Sequence, residues 1–228
     1  MGNKNERKTV MDKDLKPSKT FEFNQKEDIP KDAFDVKLCI LGDQRVGKSN
    51  LLSKIFLNKL NTTYEETEGF KYFEKAIKIY NVMDNLENHL VPPPNIEAKP
   101  TYFKFSVWDC GGSDIYYNFL VGSLGGFTSV ILIFDVTNRE TFKSLDKYFD
   151  MVKIMNKNFD YNLETKFLII GNKTDIENKI KITEDEVKNY AKQKKCEYYL
   201  LSLKKDDLSH ILGKLIQYSI DYYKIQKN

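Results

Sequence analysis

The run Gly42-Asp43-Gln44-Arg45-Val46-Gly47-Lys48-Ser49 fits the pattern G-x-x-x-x-G-K-S. In that spacing the backbone N–H groups of a loop, from Arg45 and Val46 through Gly47 to Asn50, can curl round a β-phosphate. The Lys48 ammonium would reach the β- and γ-oxygens, and the Ser49 hydroxyl would ligate Mg²⁺. Downstream, Asp109-Cys110-Gly111-Gly112 closes an apolar segment. A carboxylate at Asp109 can hold Mg²⁺ through water, and Gly112 can bring a backbone N–H to a γ-phosphate. Next comes Asn172-Lys173-Thr174-Asp175. Asp175 can accept from both the ring N–H and the exocyclic amino group of guanine, a pair of donors that adenine does not present. Ser202-Leu203-Lys204 follows, where a backbone N–H could reach the guanine carbonyl. Each short motif alone is common in surface loops. Four of them in this order, each at the end of a strand-like segment, make coincidence a poor explanation.

Those residues need a scaffold, and the hydrophobic pattern supplies one. Phe34–Leu41 reads as an apolar strand closed by Gly42, and Lys48–Leu60 has helical spacing through Leu51, Leu52, Ile55 and Phe56. Residues 69–80 and 101–109 alternate as strands, with Phe73, Ile77 and Ile79 on one face of the first and Phe103, Phe105 and Val107 on one face of the second. Residues 129–136 and 166–171 are continuous apolar runs, as expected of parallel strands buried on both faces. Phe142, Leu145, Phe149 and Val152 mark a helix between them. Thr183 with Glu186 forms a capping box before another, and a last helix carries Leu208, Ile211, Leu212, Leu215, Ile216, Ile220 and Tyr223 on one stripe. The alternation predicts an α/β, doubly wound, mostly parallel sheet with helices on both faces. Residues 1–33 read as a solvated, flexible leader, since they mix Lys with Asp and Glu and show no period. Residues 81–100, with Pro92-Pro93-Pro94, read as a long hairpin insertion that could bind a partner.

The balance of 36 basic and 33 acidic residues leaves no electrostatic footprint for nucleic acid. Three scattered cysteines and two histidines argue against a disulfide framework or a thiolate or imidazole metal site, and point to a reducing, intracellular, cytoplasmic setting. The longest apolar run, Val130–Phe134, is far short of the roughly 18 residues that span a bilayer.

With these motifs in place the sequence resembles the Ras superfamily of small GTPases, and most closely its Rab and Rab-like branch. Trp108-Asp109, Phe134-Asp135-Val136-Thr137-Asn138 and Glu140-Thr141-Phe142 all look like Rab sequence. The resemblance covers about residues 34–225 and implies a P-loop NTPase G-domain with a six-stranded sheet, exchanging GDP and GTP with Mg²⁺. It implies a switch I over about 61–69, with Thr67 as Mg²⁺ and γ-phosphate ligand, and a switch II over about 111–126. Effectors and regulators would bind both. Asn172, Lys173, Asp175, Ser202, Leu203 and Lys204 would hold the base.

Three departures from the family bear on the chemistry. Ser113 stands where the family places the glutamine that orients the attacking water. Gln44 stands at the glycine whose bulky replacements impair hydrolysis in Ras, and would crowd the γ-phosphate. Leu60 replaces an aromatic that packs on guanine, which implies weaker nucleotide binding. Lys48, Gln44 and Ser113 are therefore the residues on which hydrolysis turns, and the expectation is a slow GTPase switch in membrane traffic. The alternative is a nucleotide-locked, hydrolysis-deficient scaffold, favoured by Ser113 and Gln44 and disfavoured by the intact Thr67. A P-loop ATPase or kinase of another class shares only the first motif and is opposed by Asp175. The sequence ends Ile225-Gln226-Lys227-Asn228 without a cysteine, so no prenyl anchor is expected. Met1-Gly2-Asn3 opens like a myristoylation signal but places Glu6 where Ser or Thr belongs, so any membrane contact would be peripheral, through Gly2.

Overall fold

Six strands run through the computed structural model, which describes residues 33–79, 101–158 and 165–226: β1 (Phe34–Leu41), β2 (Phe70–Ile79), β3 (Thr101–Cys110), β4 (Ser129–Asp135), β5 (Lys166–Asn172) and β6 (Glu197–Leu200). They form one sheet in the order β2-β3-β1-β4-β5-β6. Only the β2–β3 hairpin is antiparallel, and the other four pairings are parallel. The helices are α1 (Lys48–Leu57), α2 (Tyr117–Ser123), α3 (Arg139–Lys143), α4 (Leu145–Asn158), α5 (Glu184–Lys194) and α6 (Ser209–Gln226). The expected leader, apart from Ala33, and the 81–100 insertion lie outside the described residues.

Strand periodicity divides the core in two. Leu38, Ile40, Ile131, Ile133, Leu168 and Ile170 face α1 and α6, while Cys39, Leu41, Val130, Leu132, Phe134 and Ile169 face α2, α4 and α5. All seven residues of β4 are buried, as a central parallel strand covered on both faces requires. Each fully buried Phe or Ile contributes about 1.5–3 kcal/mol, so this sheet is the rigid frame from which the loops at its C-terminal edge hang. Among the described residues, no helix is long and apolar enough to cross a membrane.

Local chemistry moved several boundaries. Helix α1 stops at Leu57 and not at Leu60, because Asn58 turns left-handed (φ 51°) and the N–H groups of Asn58 and Lys59 close on the Lys54 and Ser53 carbonyls. The helix expected around Phe142–Val152 divides at Ser144, whose hydroxyl donates to the Glu140 carbonyl at 3.0 Å. The capping box forms as expected: Thr183 accepts from the Glu186 N–H, and the Glu186 carboxylate accepts from the Thr183 N–H at 2.9 Å. Helix α2 and the short turn Asp114–Tyr116 before it were not read from the sequence. Only two turns long and interrupted by Gly122, α2 offers too few residues for a helical period to show.

Candidate functional site

Residues 42–49 leave the buried end of β1 and enter α1 with no side-chain cap on the helix. The first-turn N–H groups therefore remain directed at whatever the loop encloses. Gly47 sits at φ 108°, and a Cβ there would lie 2.6 Å from the Asn172 amide nitrogen. Lys48 is buried, and its ammonium donates to the Gly42 and Asp43 carbonyls at 2.9 and 2.8 Å. Burial pushes its pKa down, against the opposing pull of the nearby Asp109 carboxylate. Gly112 lies against the same loop: a Cβ on it would come within 2.6 Å of the Lys48 ammonium and of the Gln44 nitrogen. Backbone from the two motifs thus meets around one cation.

The expected magnesium ligands also converge. The Ser49 and Thr67 hydroxyl oxygens are 3.3 Å apart, and Thr67 is buried although every residue from Asn58 to Glu66 is exposed. Asp109 is buried, and its Oδ1 has no hydrogen-bond partner among the described residues. Burial pushes its carboxyl above the ordinary range, while the Ser49 hydroxyl and the Lys48 ammonium pull it back. An orphaned buried carboxylate oxygen beside two hydroxyls is an oxygen-only donor set, which suits a hard cation such as Mg²⁺. A bound Mg²⁺ would neutralise phosphate charge there, with Ser49 and Thr67 as direct ligands and Asp109 holding its water.

At the far side of the loop the remaining motifs meet. Asn172 is buried, and its amide ties three segments together: Nδ2 donates to the Val46 carbonyl at 2.8 Å, and Oδ1 accepts from the Lys173 and Leu203 N–H groups at 2.7 and 3.3 Å. Asp175 Oδ1 accepts from the Ser202 hydroxyl at 2.8 Å, and that hydroxyl accepts from the Lys204 N–H at 3.2 Å. Lys173 is left-handed at φ 74° and pairs with Asp135 at 2.6 Å. Burial raises the Asp135 carboxyl, but the Lys173 ammonium and the Thr137 hydroxyl and N–H outweigh it and hold it below the usual carboxylate range. Leu60, in the segment leading to Thr67, is exposed.

Several contacts around the loop were not legible beforehand. The Gln44 amide turns outward and donates to the Glu66 carboxylate at 2.7 Å, and the Arg45 guanidinium lies 4.8 Å from the centre of the Tyr64 ring. Asn50 exchanges two hydrogen bonds with the Asn61 backbone, at 2.9 and 3.2 Å. Asp43 accepts from the Tyr148 hydroxyl at 2.8 Å, and Lys147 bonds Asp114 at 2.5 Å while staying 3.9 Å from Asp43. Ser113 begins the Asp114–Tyr116 turn without a side-chain cap hydrogen bond. A cavity of about 630 Å³ opens between the loop and residues 61–67, with Lys48, Ser49, Thr67, Asp109 and Gly112 in its wall. In sequence, the one signal for Glu66 and Tyr64 was their place just before Thr67.

Comparison with known proteins agrees with this fold. The family model described as "Ras family" matches residues 37–217. The chain is 28% identical over 194 residues to Ras-related protein SEC4 of Saccharomyces cerevisiae, covering 83% of this chain and 79% of that protein. It is 28% identical over 179 residues to Ras-related protein Rab-7b of Mus musculus, covering 78% of each. It is 27% identical over 157 residues to Ras-related protein RABA1b of Arabidopsis thaliana, covering 69% of this chain and 62% of that one.

Proposed function

The chain belongs to the Ras family, and on that premise we propose that it is a Rab-like guanine-nucleotide switch that uses Mg²⁺, hydrolyses GTP slowly and serves intracellular membrane traffic. One observation carries the reading. Three oxygen-bearing side chains from three separate segments, Ser49, Thr67 and Asp109, gather where Lys48 and the loop amides would hold phosphate, and one Asp109 oxygen has no partner among the described residues. Asp175, steadied by Ser202, supports guanine over adenine. Asn172, Lys173, Leu203 and Lys204 form the rest of the base site.

Slow hydrolysis rests on Ser113. Its single short hydroxyl cannot reach and align an attacking water as a glutamine amide does. Ser113 also supports the alternative, a nucleotide-locked scaffold. The burial of Thr67 beside Ser49 favours the switch, because a γ-phosphate sensor is useless to a locked protein. Effectors and regulators would engage residues 61–69, 111–126 and the 81–100 segment, with membrane contact at most peripheral, through Gly2.

The purified chain should release GDP or GTP on denaturation, identified by chromatography. Asp175→Asn should weaken GTP by about 1.5–3 kcal/mol, roughly ten- to a hundredfold, and favour XTP. An adenine nucleotide in the released pool, or unchanged GTP and XTP affinities in the variant, would overturn the guanine assignment.

A further inference from the structure

We propose that Glu66 and Tyr64 are positioning residues: by gripping Gln44 and Arg45 they clamp residues 61–66 over the phosphate loop and set how long a bound nucleotide stays. This rests on the nucleotide-switch reading above and goes beyond it, since that reading gives neither side chain a role.

The case begins with what the segment lacks. Every residue from Asn58 to Glu66 is exposed, so hydrophobic burial does little to fix it. Four contacts nevertheless tie its length to the loop and the first turn of α1. Asn61 meets Asn50, Tyr64 meets Arg45, Glu66 meets Gln44 and Thr67 meets Ser49. The outer pairs, Asn61–Asn50 and Thr67–Ser49, align the two segments, and the inner pairs close the gap between them across the cavity mouth. The Gln44–Glu66 bond is charge-assisted, with an amide N–H on a carboxylate at 2.7 Å. Arg45 over Tyr64 adds a cation–π contact at a ring still half exposed, 52%. A nucleotide in the cavity leaves past this segment, so release requires the inner pairs to open. The direction of the Gln44 amide matters too: bonded to Glu66, it belongs to the closed segment and not to the attacking water.

The test uses the full-length chain loaded with a fluorescent methylanthraniloyl-GDP in Mg²⁺ and chased with excess GDP. Both contacts are exposed and therefore modest, so Glu66→Ala should speed release about three- to tenfold and Tyr64→Leu about two- to fivefold. Glu66→Gln keeps an acceptor for the Gln44 amide and should stay within about twofold of the parent chain. Adding Gln44→Leu to Glu66→Ala should bring little further acceleration, since the bond is already gone. Thermal unfolding midpoints of the Glu66 and Tyr64 variants should hold, because these side chains are exposed. A parent chain that binds the probe while Glu66→Ala releases it at the parental rate overturns the clamp alone, as does full additivity of Gln44→Leu with Glu66→Ala. A parent chain that does not bind the probe overturns the nucleotide reading and the clamp with it.

Discussion

Replacing Asn172 with Ala should unfasten residues 42–49 from the 172–175 and 202–204 loops at once. The side chain is 4% exposed, and its partners Val46 and Leu203 are 1% and 5% exposed, so water cannot readily take its place. Three hydrogen bonds vanish, and the Val46 carbonyl and Leu203 N–H are left buried without partners. At about 0.5–1.5 kcal/mol net per bond, with about 1–3 kcal/mol for each stranded group and overlap between the two accounts, the loss should be about 2–4 kcal/mol. Against a total stability of about 5–15 kcal/mol, that shift is easily measured. Urea unfolding should show a lower midpoint at an unchanged slope, because the exposed surface on unfolding is the same. Asn172→Asp separates the two halves of the amide. It keeps an acceptor for Lys173 and Leu203 but sets a carboxylate against the Val46 carbonyl, so it should cost about 1–3 kcal/mol near neutral pH. That deficit should shrink on acidification, as a protonated carboxyl regains a donor for Val46. A cost below about 1 kcal/mol for Asn172→Ala, or an Asn172→Asp chain as stable as the parent, would refute the view that this amide fastens the three segments together.

Two further outcomes are expected. Single-turnover GTP hydrolysis by the unassisted chain should run at or below about 3–5 × 10⁻⁴ s⁻¹, the unassisted rate of Ras, and Ser113→Gln combined with Gln44→Gly should raise it; no gain in the double variant would mean that another group positions the water, with Arg45 the first to replace. Glu186 is held down to about 2 by the Arg139 guanidinium first and the Thr183 N–H second, so its contribution is present above the ordinary glutamate range, about 4.3, and fades as pH falls from there toward 2. An NMR titration of the Glu186 carboxyl should show that low midpoint, and Arg139→Ala should move it upward; a parent midpoint near the ordinary value would contradict the pairing.

The candidate site residues were legible because phosphate, magnesium and guanine each demand particular atoms at particular spacings. Lys48, Ser49, Asp109 and Asp175 could be named before any fold was known, and all but Asp175 gather at one end of the loop, while Asp175 lies beside Ser202. Strands β4 and β5 were legible for another reason: a strand covered on both faces has no polar positions to spare. What failed was short or conditional. Helix α2 is too brief for a period, and the end of α1 hangs on one asparagine turning left-handed. Asn172 was named for the base site, but its two buried bonds, to Val46 and Leu203, depend on loops 126 and 31 positions away in sequence. The Gln44–Glu66 and Asp43–Tyr148 contacts, 22 and 105 positions apart, depend on rotamers that no local pattern encodes.

Arg45 holds a backbone conformation at φ 62° that residues other than glycine adopt rarely and at a cost of about 1 kcal/mol or more. A glycine would take that turn without strain and would lack the guanidinium that rests on Tyr64. The chain therefore sets fold stability and a timescale against each other at a single residue. Drift toward glycine there would make the loop easier to fold and a bound nucleotide quicker to leave, so selection on nucleotide residence would act at this one backbone angle even where selection on stability pulled the other way.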